Sequence, residues 1–153
     1  MDVERAIERA LMLYAWGYDS NDMSMVEQAF TPDAELIFAP DEMIEDVEAL
    51  GGERRTVGRD AILEQFRASR AGFAERGEQP WHLISNMLIE SQSATQAHVR
   101  CCYVFATQTV DGLTVHGLSR YFDHFTGSAD GWHIRTRRNV VAHLGSRRSA
   151  EQR

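Results

Sequence analysis

The chain has 153 residues, 43% of them hydrophobic and 25% charged, with a formal charge of -7. That length suits one domain with enough core to enclose a pocket. The acidic balance argues against general binding to nucleic acid or to an anionic membrane, since both need a basic face.

No apolar run approaches the roughly 18 residues of a membrane span, and the opening "MDVERAIERA" reads as a charged helix rather than a signal peptide. The expectation is a cytoplasmic protein without membrane contact. Cys101 and Cys102 are adjacent in a strand-like run, so they point to opposite faces and are poorly placed to bridge each other. No Cys/His spacing fits a zinc site. No phosphate, nucleotide or metal motif stands out, so no cofactor and no metal are expected.

In chain order, residues 3–19 carry Val3, Ala6, Ile7, Ala10, Leu11, Tyr14 and Tyr18 at helical spacing, which predicts an amphipathic helix. It ends on Asp19. The C-terminal end of a helix carries partial negative charge, so an acid there is mildly unfavourable and asks for a compensating partner. Ser24 with Glu27 three residues on suggests a capping box for a short second helix. "TPDAE" reads as a turn and "AELIFA" as a short strand. The acidic segment 40–52 reads as a surface helix over residues 42–50, a candidate lid, stopped by Gly51 and Gly52. "RTVG" reads as a brief strand, and residues 59–78 as a helix with Ile62, Phe66, Ser69 and Phe73 on one side.

After Pro80 the texture changes. Four β-rich segments follow, separated by "QSA", "VDG" and "GSADG". They predict a meander of long antiparallel strands. The class is therefore α+β: N-terminal helices packed on a strongly curved, mostly antiparallel sheet. Such a cone encloses a hollow suited to a ligand. The domain is read as residues 1–145, and residues 146–153 as a solvated polar tail.

Several strings, in this order and spacing, carry a family resemblance: "YAWGYDSNDMSMVEQAFTPDAEL", "GRDAILEQF", "WHLISNMLIE", "GLSRYFDHF" and "DGWHIRTRRN". The chain resembles the SnoaL-like group of the nuclear-transport-factor-two-like superfamily over about residues 3–143. That superfamily includes scytalone dehydratase, ketosteroid isomerase, polyketide cyclases and a dehydrochlorinase. The resemblance implies a cone-shaped fold. It also implies a catalytic Asp–His pair, the Asp ending the first long helix and the His opening the strand after the third. Those positions are Asp19 and His82. The tyrosines of related dehydratases fall on Tyr18 and Tyr14. A further tyrosine of the dehydratase pattern has no counterpart in residues 39–57. The nearest candidate for its second histidine is His116. The strand "CCYVFATQTV" lacks the second acid of bile-acid relatives.

In chemical terms, a neutral imidazole can accept a proton near pH 7, and a buried carboxylate beside it fixes its tautomer and stabilises the imidazolium that forms. Tyr14 and Tyr18, four apart, share a helix face, with Asp19 about 100° further round. The residues expected to act are Asp19, His82, Tyr14 and Tyr18. Those expected to contact substrate are Trp16, Tyr103, Phe105, His116 and Asn139. Asn86 is read as a structural hydrogen-bonder.

These residues point to a cofactor-independent lyase (dehydratase) or isomerase, with a small, apolar, cyclic or aromatic substrate. The alternatives are a non-catalytic ligand-binding or dioxygenase-β-subunit-like assembly domain, and a polyketide-cyclase-like enzyme. A homodimer or homotrimer through the outer sheet face is the expected assembly.

Overall fold

The structure, a computed structural model, describes residues 2–41 and 52–142. The expected helix over 42–50 and the tail at 146–153 lie outside the described residues. Three helices, α1 (Val3–Asp19), α2 (Met23–Ala29) and α3 (Arg59–Glu75), accompany six strands. These are β1 (Phe30–Pro40), β2 (Arg54–Val57), β3 (Gln79–Gln92), β4 (Gln96–Thr109), β5 (Gly112–Ser128) and β6 (Gly131–Val141). The six strands form one mixed sheet in the order β2-β1-β6-β5-β4-β3. Only β1 and β6 pair in parallel. The three helices pack on this open sheet, and the expected α+β architecture is the one observed.

The apolar stripe of α1 behaves as its spacing dictates. Ile7, Leu11 and Tyr14 are buried and join Val26 of α2, Phe30 and Leu36 of β1, Ile62 and Phe66 of α3, and Phe125 and Ile134 of the sheet. Each large side chain removed from water there contributes roughly 1.5–3 kcal/mol. The burial of α1 also explains its close approach to α2. A Cβ on Gly17 would lie 2.8 Å from the Val26 backbone nitrogen and 2.9 Å from the Asp22 carbonyl oxygen, so only glycine fits at the crossing.

Two local expectations are corrected. The second helix is capped by Asp22 rather than Ser24: its carboxylate accepts from the backbone N–H groups of Ser24 and Met25. The helix starts two residues earlier than the Ser24–Glu27 box requires. The strand expected at "AELIFA" begins at Phe30 and takes in "TPD". The ladder to β6 is broken between Phe30 and Glu35, which accommodates Pro32 without a lost ladder bond.

The bend of β3 has an identifiable cause. Its ladder to β4 shifts between Ser85 and Leu88, and Asn86 in that gap has φ of 53°. Asn is among the few L-residues that enter this region readily, through local hydrogen bonding of its short polar side chain. The bulge curls the sheet around α1 and α3. It also separates the cavity-facing start of β3 from its outer half.

Candidate active site

Asp19 occupies the last position of α1 and is only 5% exposed, so the acid at the helix end is not a solvent-facing turn residue. Both carboxylate oxygens serve one residue of the sheet. Oδ1 lies 2.7 Å from His82 Nδ1, and Oδ2 accepts the His82 backbone N–H at 2.8 Å. The Asp19 carbonyl, otherwise an orphan at the helix end, accepts from Gln79 Nε2 at 2.6 Å. The unfavourable helix-end position is thus offset by two charge-assisted hydrogen bonds, which are the stronger kind. Oδ1 requires Nδ1 to carry a proton. In the neutral ring Nε2 is then the acceptor, and it has no protein hydrogen bond among the described residues.

His82 borders a cavity of about 260 Å³ between the sheet and the helices. Four rings cage its imidazole. Tyr18 and Tyr14 stand edge-on at 4.9 and 5.7 Å between centroids, and Phe105 and Tyr103 lie at 5.1 and 5.6 Å. Phe38, Phe66 and Phe73 extend the apolar wall.

The phenols are tied down. Tyr18 shares a hydrogen bond of 2.7 Å with Ser69, and Tyr14 one of 3.2 Å with Tyr121. Tyr103 donates to Asn139 at 2.9 Å and stacks on Tyr121 at 4.2 Å. Burial pushes the ionisation of Tyr14, Tyr18, Tyr103 and Tyr121 above the ordinary phenol value, so near pH 7 all four can only act as neutral hydrogen-bond groups. His116 lines the same cavity, beside Phe105, with Nε2 held 2.7 Å from Thr107 Oγ1.

Of the residues expected at the site, Tyr14, Tyr18, His82, Tyr103, Phe105, His116 and Asn139 line this one cavity, and Asp19 supports His82 from behind. Trp16 does not belong to it. It is 59% exposed on the outer side of α1, because two residues turn a helix by about 200° and carry it away from the Tyr14 face.

The sequence reading missed a polar layer beneath the phenols. Arg137 and Asp123 are fully buried and joined by two hydrogen bonds, of 2.9 and 2.6 Å. The Arg137 guanidinium lies 3.9 Å over the Tyr121 ring and 4.3 Å over that of Tyr14. Burial alone would lower the Arg137 ionisation, but the charge and hydrogen bonds of Asp123 outweigh it and hold the guanidinium protonated. The arginine packs on both tyrosines, whose buried hydroxyls meet at 3.2 Å. Arg54, exposed at the sheet edge but bordering the cavity, was also missed. Among the described residues no cluster of His, Cys, Asp and Glu could hold a metal ion, and no helix is long and apolar enough to cross a membrane.

A helical layer on an open sheet, with a cavity at their junction, defines an α+β class of pocket-bearing folds. Within it, the SnoaL-like domain family matches residues 1–138, and the chain belongs to that family. No curated protein matches it significantly. Three solved structures from Novosphingobium aromaticivorans share the fold. The first is an NTF2-like protein with a cystatin-like fold, at TM-score 0.72 and 17% identity, covering 94% of this chain and 84% of that one. The second is a candidate scytalone dehydratase, at 0.66 and 23%, covering 89% and 81%. The third is the β subunit of a candidate aromatic-ring-hydroxylating dioxygenase, at 0.68 and 15%, covering 92% and 91%.

Proposed function

We propose that the protein is a lyase or isomerase that needs no cofactor for its proton transfer, with His82 as general base. The observation that carries this reading is the two-point grip of Asp19 on His82 at the wall of a largely aromatic cavity. Asp19 holds the proton on Nδ1 and aims Nε2 inward. Nε2 removes a proton from carbon next to a carbonyl or leaving group. The imidazolium that forms is stabilised by the Asp19 carboxylate. Neutral phenols of Tyr14 and Tyr18 donate hydrogen bonds to the carbonyl or to the departing group, and the His82 imidazolium returns its proton to a departing hydroxide. Loss of water is the simplest outcome. Loss of halide, a retro-aldol cleavage or an isomerisation would use the same base. The substrate is a small cyclic or aromatic compound, in keeping with the cavity's size and walls.

The test is a screen of dehydratable and isomerisable cyclic compounds, followed by His82→Gln and Asp19→Asn. Each variant should lower kcat/KM by about 10²–10⁴-fold while melting cooperatively, as expected for loss of a base or its orienting acid. Normal turnover by both would refute base catalysis, and a ligand-binding or assembly role would take its place.

A further inference from the structure

Apart from its histidines, the cavity wall holds, among the described residues, one ionisable group that is charged near pH 7, and it is a cation. Among the described residues that line the cavity there is no Asp or Glu, since Asp19 sits behind His82; Arg54 is the one Arg. Its place follows from strand register. Arg54 of β2 pairs with Phe38 of β1, and Phe38 with Asn139 of β6. Paired residues share a sheet face, so these three form one row running from the mouth toward the phenols. With strands roughly 4.8 Å apart, the Arg54 backbone lies about 10 Å from that of Asn139. The Arg54 guanidinium lies 5.8 Å over the Phe38 ring, which holds it against the cavity wall.

Its neighbours differ in a way that matters. Arg55, one residue on and on the opposite face, is paired with Glu35 and Glu53. Arg138 is paired with Glu53. Arg54 has no acidic partner among the described residues. Among the described residues, the outward-facing arginines of this edge are neutralised and the inward-facing one is not.

We infer that the ligand of this cavity carries an anionic group, in the simplest case a carboxylate, that docks on Arg54 at the mouth while its ring lies among the aromatic side chains near His82. The inference deepens the proposed function by naming its substrate class: a cyclic or aromatic acid rather than a neutral ring. A guanidinium presents two parallel N–H donors that match a carboxylate. Phe38 supplies an apolar surface behind it. Anchoring one end of the ligand at the mouth fixes which ring carbon faces Nε2.

Binding tests this separately from turnover. The probes are 2-naphthoate and its neutral analogue 2-naphthalenemethanol, titrated by calorimetry into wild-type protein, Arg54→Gln, Arg54→Lys and His82→Gln. Wild type should prefer the carboxylate by about five- to tenfold at low ionic strength, a modest ratio because Arg54 is solvent-exposed and screened. Added salt should shrink that ratio. Arg54→Gln should abolish it while leaving affinity for the alcohol unchanged, and Arg54→Lys should keep part of it. His82→Gln, which would stop base catalysis, should retain it. Equal affinity for the two probes, binding of neither, or a preference that survives Arg54→Gln would overturn the inference. A preference lost in His82→Gln but kept in Arg54→Gln would do so too, by placing the anion at the other end. An Arg54-dependent preference together with unaltered turnover in His82→Gln would support the anion site and refute the base.

Discussion

At the scale of single residues, the most consequential feature outside the Asp19–His82 contact is the buried Asp123–Arg137 ion pair. Both side chains are fully excluded from solvent. Its geometry is good, yet removing two charges from water is costly enough that such a pair often adds little net stability. What it adds is position, because the guanidinium is stacked against Tyr14 and Tyr121. Arg137→Met should therefore cost about 3–5 kcal/mol, since it strands the Asp123 carboxyl in the core. The double variant Asp123→Leu/Arg137→Met should recover most of that loss. Denaturant titration of the single and double variants measures the difference, and a double variant no more stable than Arg137→Met would contradict this account. The pair was hidden in the sequence for a clear reason. Asp123 and Arg137 are cross-strand partners, and register cannot be read from one chain. Part of the signal was there: Tyr121, Asp123 and Phe125 alternate, as do Arg137 and Asn139, so each set occupies one parity. Asp19 and His82 were legible because family resemblance supplied the long-range contact that local patterning cannot.

At the scale of elements, the site depends on how α1 ends. The crossing at Gly17 brings α2 close beneath the last turn of α1. The turn then closes through Asn21, at φ of 58°, and the Asp22 cap. Gly17 is also hydrogen-bonded through its carbonyl to the Asp22 backbone N–H at 2.7 Å. In an ordinary helix, replacing glycine by alanine would gain up to about 1 kcal/mol. Here the opposite sign is expected. A methyl group 2.8 Å from a backbone nitrogen must push the helices apart, and such overpacking typically costs about 1–3 kcal/mol. Gly17→Ala should lower the denaturation midpoint. It should also depress turnover of any substrate found, because Asp19 lies two residues further on. A stabilised Gly17→Ala would show that the crossing is looser than described. Helix and strand existence was largely readable from periodicity, for α1, α3 and the four C-terminal strands alike. Boundaries were not. The Asp22 cap displaced the expected one at Ser24, and the broken ladder after Phe30 let β1 absorb a Pro-containing turn.

At the scale of the whole molecule, the cavity has an alkaline signature. The chain has four tyrosines, and all four, Tyr14, Tyr18, Tyr103 and Tyr121, belong to the same buried cluster. Burial raises the ionisation of each above the ordinary phenol value near 10. Unfolding exposes all of them. Below pH 10 the phenols are protonated in both states, so their burial is not opposed by ionisation and stability is independent of this effect. Above pH 10 the unfolded chain releases protons that the folded chain retains. The slope of unfolding free energy with pH is set by protons bound in the unfolded state minus those in the folded state, and it turns negative there. Each phenol kept neutral contributes about 1.4 kcal/mol of lost stability per pH unit. Together they should bring about a steep, cooperative alkaline transition. Absorbance of tyrosinate, followed against circular dichroism across the titration, reads it directly. The folded protein should show no tyrosinate as pH passes 10, and the signal should then rise in step with loss of secondary structure. A tyrosine that ionises early in folded protein would mean that at least one phenol is open to water. That result would remove the buried aromatic cage that keeps the Tyr14 and Tyr18 hydroxyls neutral beside His82.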